Sequence, residues 1–373
     1  MKKEFKELLL CMKKYPVVLY GLGQLGNDVG LEILGLLGIN ATFACDKTFE
    51  RISDFVSKNP YVVPISYSEL LQRKDDLCVF VCVGAKYIST VCDNLSINKS
   101  LHIVSVDDIV RSDYFLEKFY SVRDFSRDIK NFSRSDKSYN SDEVQICNNK
   151  IAVYTCITAN YDTPKEFAID SDNCDYFYIG EEKPDLSNRI KWIDCNTVVP
   201  SYVVNPVDVN RWCKMHGHKI FEEYRYSIYI DGSITLIKDI SYYVNLTKNL
   251  GIALHRHPHR DCIYEEGFRV YAARRGGYTK NEIVEQMQKY HRMGVPRHYG
   301  LFECGMVVRD HAKEFGNIIM EEWFEEFFCS IRRDQLCLPV VLWKKQIDIN
   351  SIGILNNGMD IRYNPDIVLD DNH

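Results

Sequence analysis

The stretch VVLYGLGQLGNDVGLEILGLLGINATFACDKT, residues 17–48, constrains this chain more than any other part of it. An apolar run from Val17 to Tyr20 leads into Gly21, Gly23 and Gly26 at G-x-G-x-x-G spacing. A helical pattern then ends at Gly38, and a second apolar run, Ala41 to Cys45, delivers Asp46, 20 residues after Gly26. Strand, glycine loop, helix and strand in that order make a parallel βαβ unit. The glycines permit a tight turn and let the backbone approach a phosphate at the helix N-terminus. A carboxylate at the tip of the second strand is placed for a ribose hydroxyl. Alternation continues through YVVPISYSELLQ, LCVFVCVG (77–84), a helical stretch and LHIVSVDDIV, so residues 1–112 read as a Rossmann-like parallel sheet. Gly21, Gly23, Gly26 and Asp46 are its candidate nucleotide-binding residues. Such folds host unrelated functions, so a structural or docking role and an NAD-dependent activity stay open beside nucleotide binding.

Composition narrows the rest. A length of 373 residues suits about two or three domains. The net charge of −6 argues against a dedicated nucleic-acid binder, which would carry a basic excess. Fourteen cysteines are scattered without a single CxxC pair, which reads as reduced thiols in a cytoplasmic protein and not as structural zinc. The opening MKKEFKELLLCMKKYP has too short an apolar run for a signal segment, and no stretch approaches the ~18 apolar residues of a membrane span. Residues 113–148 are rich in Ser, Asn, Asp and Lys and read as a polar linker that opens on a short helix. A second domain, 149–346, and an Asn- and Asp-rich tail, 347–373, complete the chain.

In that second domain, polar clusters sit where apolar segments end, the places where α/β proteins put their sites. Thr155, Tyr161 and Asp162 follow the first strand. Arg211 and Lys214 are spaced to share one face of a helix, as a solvated pair or as a site for an anion. YSIYIDGSITL (226–236) presents Asp231, and Asp-Gly between alternating apolar runs is also the strongest hairpin signal. Asp231 is therefore either a turn residue or the centre of a site. HRHPHRDCIYEE (255–266) sets His255, His257 and His259 at alternate positions, but Pro258 interrupts the strand and no zinc-spaced partner follows. His257, Arg260, Asp261 and Glu265 suit sugar hydroxyls, or pair with one another at the surface. Asp334 and Gln335 of RRDQ begin an apolar run and are expected to point into a cleft, where Asp334 would act as a base or stabilise a cationic sugar.

Taken in order, VYTCITANYD, the Arg211/Lys214 helix, YSIYIDGSI, HPHRDCIYEE, a long helix, ECGMVVRDH, an aromatic helix with Trp323, and RRDQL resemble the glycosyltransferase family of the plant TOD/MUCI type over roughly residues 150–345. The resemblance implies a GT-A-like α/β domain that moves a sugar from a nucleotide-sugar donor to a saccharide acceptor in surface polysaccharide synthesis. Under it, Thr155, Tyr161, Asp162, Arg211, Lys214 and Asp231 meet the donor. His257, Arg260, Asp261 and Glu265 meet the acceptor, and Asp231, Asp334 and Gln335 surround the reacting centre. A divalent metal, Mn or Mg, would take Asp231 as ligand. The Asp-x-Asp pattern usual for such a metal is broken here by Ser233. Alternatives from other classes are a non-catalytic nucleotide-sugar-binding scaffold and an NAD-dependent enzyme working through the N-terminal module.

Overall fold

The computed structural model describes residues 3–123, 125, 148–167, 171–355 and 366–369. The chain is a mixed α/β protein that divides into two compact units. One comprises Met1–Arg127 and Tyr264–Gly294, the other Asp128–Ile263 and Val295–His373.

In the first unit, strands β1 (Val17–Tyr20), β2 (Ala41–Cys45), β3 (Val63–Pro64), β4 (Leu77–Val81) and β5 (Leu101–Ser105) form an all-parallel sheet of order β3-β2-β1-β4-β5. Central strands β1 and β4 are buried throughout, which is why they read as unbroken apolar runs. The glycine pattern has a steric reason inside the unit. Gly21 has φ +91°, and a Cβ on Gly26 would lie 1.8 Å from the carbonyl oxygen of Gly21. Only glycines let the first helical turn press this closely on the strand exit.

Two boundaries differ from the sequence reading. The helix expected at the head of the linker is Asp113–Tyr120, capped by Ser112, and Phe115, Leu116, Phe119 and Tyr120 are all buried in the first unit. The remainder of that linker lies mostly outside the described residues. Residues 264–294, expected within the second domain, pack in the first unit. Phe115 meets Phe268 edge-on at 5.3 Å, the Tyr120 hydroxyl donates to the Tyr264 carbonyl at 2.7 Å, and the Tyr271 hydroxyl donates to Glu32 at 2.6 Å. Apolar and aromatic side chains on helices Ile263–Ala272 and Lys280–Arg292 find their burial there, so proximity in sequence did not decide their place.

The second unit is built on a seven-stranded mixed sheet of order β13-β11-β12-β9-β6-β7-β8. Its strands are β6 (Asn148–Cys156), β7 (Cys174–Gly180), β8 (Ile190–Asp194), β9 (Tyr224–Ile230), β11 (Ile252–Arg256), β12 (Phe302–Asp310) and β13 (Gly353–Ile354). Strands β6 to β9 run parallel, while β12 is antiparallel to both β9 and β11. Alternate residues feed two cores. Tyr154, Cys156 and Tyr229 join helices Pro206–Met215, Glu314–Phe328 and Asp334–Lys344 on one face, whereas Val153, Ile157, Ile228 and Ile230 pack on the other. Strand β10 (Ile234–Leu236) leaves this sheet and pairs with β14 (Ile367–Leu369). Part of the expected loose tail is integral as well: Ile347, Ile349, Ile352 and Leu355 are buried, and β13 pairs with β11.

Candidate active site

Asp231 follows β9, and its backbone N–H donates to the Gly305 carbonyl at 2.8 Å. The Asp231 carbonyl accepts from the Ile234 N–H at 2.9 Å, so a turn does form here. It is not a hairpin, because β10 pairs with β14 and β9 is flanked by β12 and β6. Gly232 is absent from the positive-φ residues that a type I′ turn would require. Strand parity puts the Asp231 side chain on the face of Tyr229, two residues before it. There the Tyr229 hydroxyl donates to Asp231 Oδ1 at 2.8 Å.

The helix Pro206–Met215 faces that point. Asn205 caps it through the Val207 N–H at 2.9 Å, and Pro206 occupies the first helical position, where a missing N–H costs nothing. Asp208, Arg211 and Lys214 recur every three residues along it. This polar stripe turns inward instead of toward water. Lys214 is 1% exposed, and its ammonium lies 2.9 Å from Asp334 Oδ2 and 3.3 Å from Asp231 Oδ1, above the Tyr229 ring. Arg211 Nε is 3.2 Å from the same Asp334 oxygen, and Arg332 Nε is 2.6 Å from buried Asp208.

Asp334 opens the helix Asp334–Lys344, where a carboxylate suits the positive end of the dipole. Its Oδ1 accepts from the Gln335 N–H at 3.0 Å, and its carbonyl accepts from Trp323 Nε1 at 2.9 Å. Burial by itself would raise its pKa, but Lys214, then Arg211 and Arg333, hold the carboxyl well below the usual range. Burial would weaken the Arg211 guanidinium, yet Asp334 and Asp231 keep it charged beyond its ordinary value. Burial pushes the Tyr229 hydroxyl and the Cys304 thiol up, with Asp231 adding to the first and Asp334 to the second. At any ordinary pH the centre thus holds ionised Asp334 and Arg211 beside a neutral Tyr229. Contrary to the sequence reading, Asp334 does not point into an open cleft, being 3% exposed. The accessible members are Asp231, with 31% of its side chain exposed, and Arg211, with 24%. Gln335 sits beside them, half-buried and bonded to Arg333.

Lys214 is held from behind. Tyr154 donates to the Cys213 carbonyl at 2.9 Å, and buried Arg309 donates to the Lys214 carbonyl and, at 2.5 Å, to Tyr154. These donors satisfy carbonyls that the helix end leaves open.

Among the other sequence candidates, Asp162 joins this place: a Cβ on Gly232 would lie 3.0 Å from its Oδ2. Tyr161 is 78% exposed on the same loop, where Ala159 and Asn160 take left-handed φ values of 51° and 53°. The loop is tied to the 206–215 helix by Thr158 Oγ1, which donates to the Pro206 carbonyl at 2.8 Å. Thr155 is buried with Val153 and Ile157 on the opposite side of β6, because it is one residue out of phase with Tyr154. The three histidines of HRHPHRD have different settings. His255 is fully buried on β11, with its pKa lowered by burial to about 4, while His257 Nδ1 accepts the N–H groups of His259 and Arg260 at 3.2 and 3.1 Å. Arg260 also meets the His257 ring at 3.0 Å, and Asp261 pairs with His298 at 2.6 Å on the surface. Glu265 is buried in the helix Ile263–Ala272, which packs in the first unit. Sequence reasoning missed Asp208, Tyr229, Cys304 and Arg309. For Asp208 and Tyr229 a signal existed, the three-residue period with Arg211 and the two-residue period with Asp231.

The first unit's candidate residues have a different setting. Asp46 Oδ2 accepts from the Leu22 N–H at 2.7 Å and Oδ1 from the Thr48 N–H at 2.9 Å, so one oxygen fastens the glycine loop and the other its own turn. Gly23 is the open position of that loop, with Arg51 3.7 Å from where its Cβ would be.

The donor set at Asp231 does not fit a divalent ion. Its Oδ1 is already taken by Tyr229 and by the Lys214 ammonium. An ion on the other oxygen would stand beside that ammonium, with a single accessible carboxylate to hold it. Among the described residues no group of three or more His, Cys, Asp or Glu is arranged to hold a metal.

Residues 197–357, which contain Asp208, Arg211, Lys214, Asp231 and Asp334, match the family model described as TOD1/MUCI70, glycosyltransferase-like domain. No curated protein matches the sequence. Among solved structures, the chain is similar to the WbbM bifunctional glycosyltransferase in its apo form, at 13% identity and a TM-score of 0.33, over 73% of this chain and 51% of that one. It thus spans about half the length of that protein. It is also similar to mouse xyloside xylosyltransferase 1 in its apo form, at 11% identity and a TM-score of 0.35, over 53% of this chain and 83% of that one. Among the described residues no helix is long and apolar enough to cross a membrane.

Proposed function

We propose that the glycosyltransferase-like domain of residues 197–357 moves a sugar from a nucleotide-sugar donor to a saccharide acceptor, as a step in surface polysaccharide synthesis. The observation that carries this reading is the ion cluster at the end of β9, in which Lys214 joins Asp231 to Asp334 while Arg211 reaches toward solvent. Breaking a glycosidic bond to a nucleoside diphosphate leaves negative charge on the departing group, and fixed cations in a largely dry setting stabilise that charge best. Asp231 keeps one oxygen free for a hydroxyl of donor or acceptor. Asp334 is a positioning residue in this scheme: its ion pairs make it a weak base and hold Lys214 and Arg211 in place. Tyr161 and Asp162 stand on a loop suited to the rim of the donor pocket.

The test is release of nucleoside diphosphate from a panel of UDP-, GDP- and ADP-sugars, with release of CMP followed for CMP-linked sugars, each with candidate acceptors. Asp231→Asn should cut release by roughly a hundredfold or more while the tryptophan spectrum stays that of the native fold. Full activity in that variant would sink the assignment. A second reading, a nucleotide-sugar-binding scaffold, is favoured by the salt-bridged state of Asp334, which leaves it unsuited to take a proton. Tight nucleotide binding without turnover on any acceptor would point there.

A further inference from the structure

We infer that this site takes the donor's diphosphate without a divalent cation, with the Lys214 ammonium and the Arg211 guanidinium standing where a metal would. The inference rests on the nucleotide-sugar reading above and adds to it the means by which the leaving group is held. A bound divalent ion draws together carboxylates that would otherwise repel and offers its remaining valence to phosphate oxygens. Lys214 already does the first of these. Its ammonium bridges Asp334 Oδ2 at 2.9 Å and Asp231 Oδ1 at 3.3 Å, and only 1% of the residue is exposed.

Arg211 does the second. Its Nε is spent on Asp334 and its Nη1 on Asn210, while no partner of Nη2 is found among the described residues and a quarter of the side chain reaches solvent. A planar guanidinium with free donors beside a buried ammonium suits the oxygens of a diphosphate. The cluster is also built to keep this arrangement. Arg309 and Tyr154 hold the backbone carbonyls at Cys213 and Lys214, and Trp323 holds the Asp334 carbonyl, so the helix bearing both cations cannot withdraw from Asp334 without breaking buried hydrogen bonds. Ser233, in the place of a second carboxylate, belongs to the same economy of charge: with a buried lysine present, a further acid for a metal has no role.

The experiment is calorimetric titration of the full chain with UDP, GDP, ADP and CDP, in excess EDTA and again in excess Mn. One nucleotide should bind with the same Kd in both, within about twofold. Arg211→Gln should raise that Kd roughly tenfold or more under both conditions, and Arg211→Lys should recover part of the loss, since it restores charge without the fork. Arg211 is chosen because it is half-buried, whereas Lys214→Met risks the fold. Binding abolished by EDTA and restored by Mn would overturn the metal-free assignment and leave the transferase reading intact. Unchanged affinity in Arg211→Gln would also overturn it. No binding of any nucleotide under either condition would overturn the donor reading, and this inference with it.

Discussion

Each unit ends an inner strand of its sheet with an aspartate beside a helix, and the two aspartates have opposite employment. In the first unit Asp46 accepts backbone amides with both oxygens, from Leu22 in the glycine loop and from Thr48 in its own loop. In the second, Asp231 Oδ1 meets Tyr229 and Lys214, and no partner of Oδ2 is found among the described residues. Behind Asp46 lie glycines packed for steric reasons; behind Asp231 lies a buried lysine joined to a second buried acid. A carboxylate that completes a loop stabilises a fold. Under the proposed function, a carboxylate held by a buried cation with a second oxygen to offer would meet a ligand. The G-x-G-x-x-G spacing is the more conspicuous signature in the sequence, but the plainer YIDG carries the charge arrangement that the proposed transfer would use.

The largest expected effect is on stability. Asp334→Ala leaves Lys214 buried with only the half-exposed Asp231, so the second unit should lose about 3–5 kcal/mol. Urea unfolding followed by tryptophan fluorescence reads this unit selectively, because Trp192, Trp212, Trp323 and Trp343 all belong to it. A loss under about 1 kcal/mol would mean that the ion cluster does not hold these helices. Next, Asp231→Asn should cut turnover by roughly a hundredfold or more, about 2.7 kcal/mol of transition-state stabilisation, with little change in the urea midpoint. Equal losses of turnover and stability would make Asp231 a structural residue like Asp46.

Asp46→Ala is the converse. It removes the acceptor of two backbone amides, and about 1–3 kcal/mol should be lost from the first unit, seen by far-ultraviolet dichroism. Tryptophan unfolding and sugar transfer should stay as in the native chain. If nucleotide binding disappears as well, the contrast between the two acids fails.

Acid sensitivity tests the second unit without any substitution. Burial lowers His216 to about 3, and His218 and His311 to about 4 and about 3, all in the second unit. These rings are neutral in the fold, while in the unfolded chain they take up protons near pH 6.5. The unfolded state therefore binds more protons below that pH. The stability these groups contribute is present above about 6.5 and is lost as pH falls toward about 3. Urea midpoints by tryptophan fluorescence should fall over that window. Midpoints that stay level there would mean these rings are protonated without cost.

Much of the fold could be read from the chain, because strand and helix periods and glycine turns are local. Central runs such as Leu77–Val81 and the helix that carries Arg211 and Lys214 correspond to elements as read. The site was legible as a set of residue types, Asp231, Arg211, Lys214 and Asp334, and hardly at all as a geometry. Thr155 lies apart from Tyr154 because a shift of one residue along β6 sends a side chain to the other core. Helices 263–272 and 280–292 were misplaced because the apolar surface that buries them lies in a unit begun more than a hundred residues earlier.

The sequence by itself determined the α/β alternation, the tight glycine turn, the shared face of Arg211 and Lys214, and the parity that sets Asp231 beside Tyr229. Only the tertiary structure decided that YIDGSIT is no hairpin, that the charged stripe faces inward, and that Lys214 meets an acid 120 residues away. The first group depends on torsion angles and spacing within a few residues. The second depends on which strands become neighbours, and that is settled by burying apolar surface across the whole unit, which no local pattern encodes.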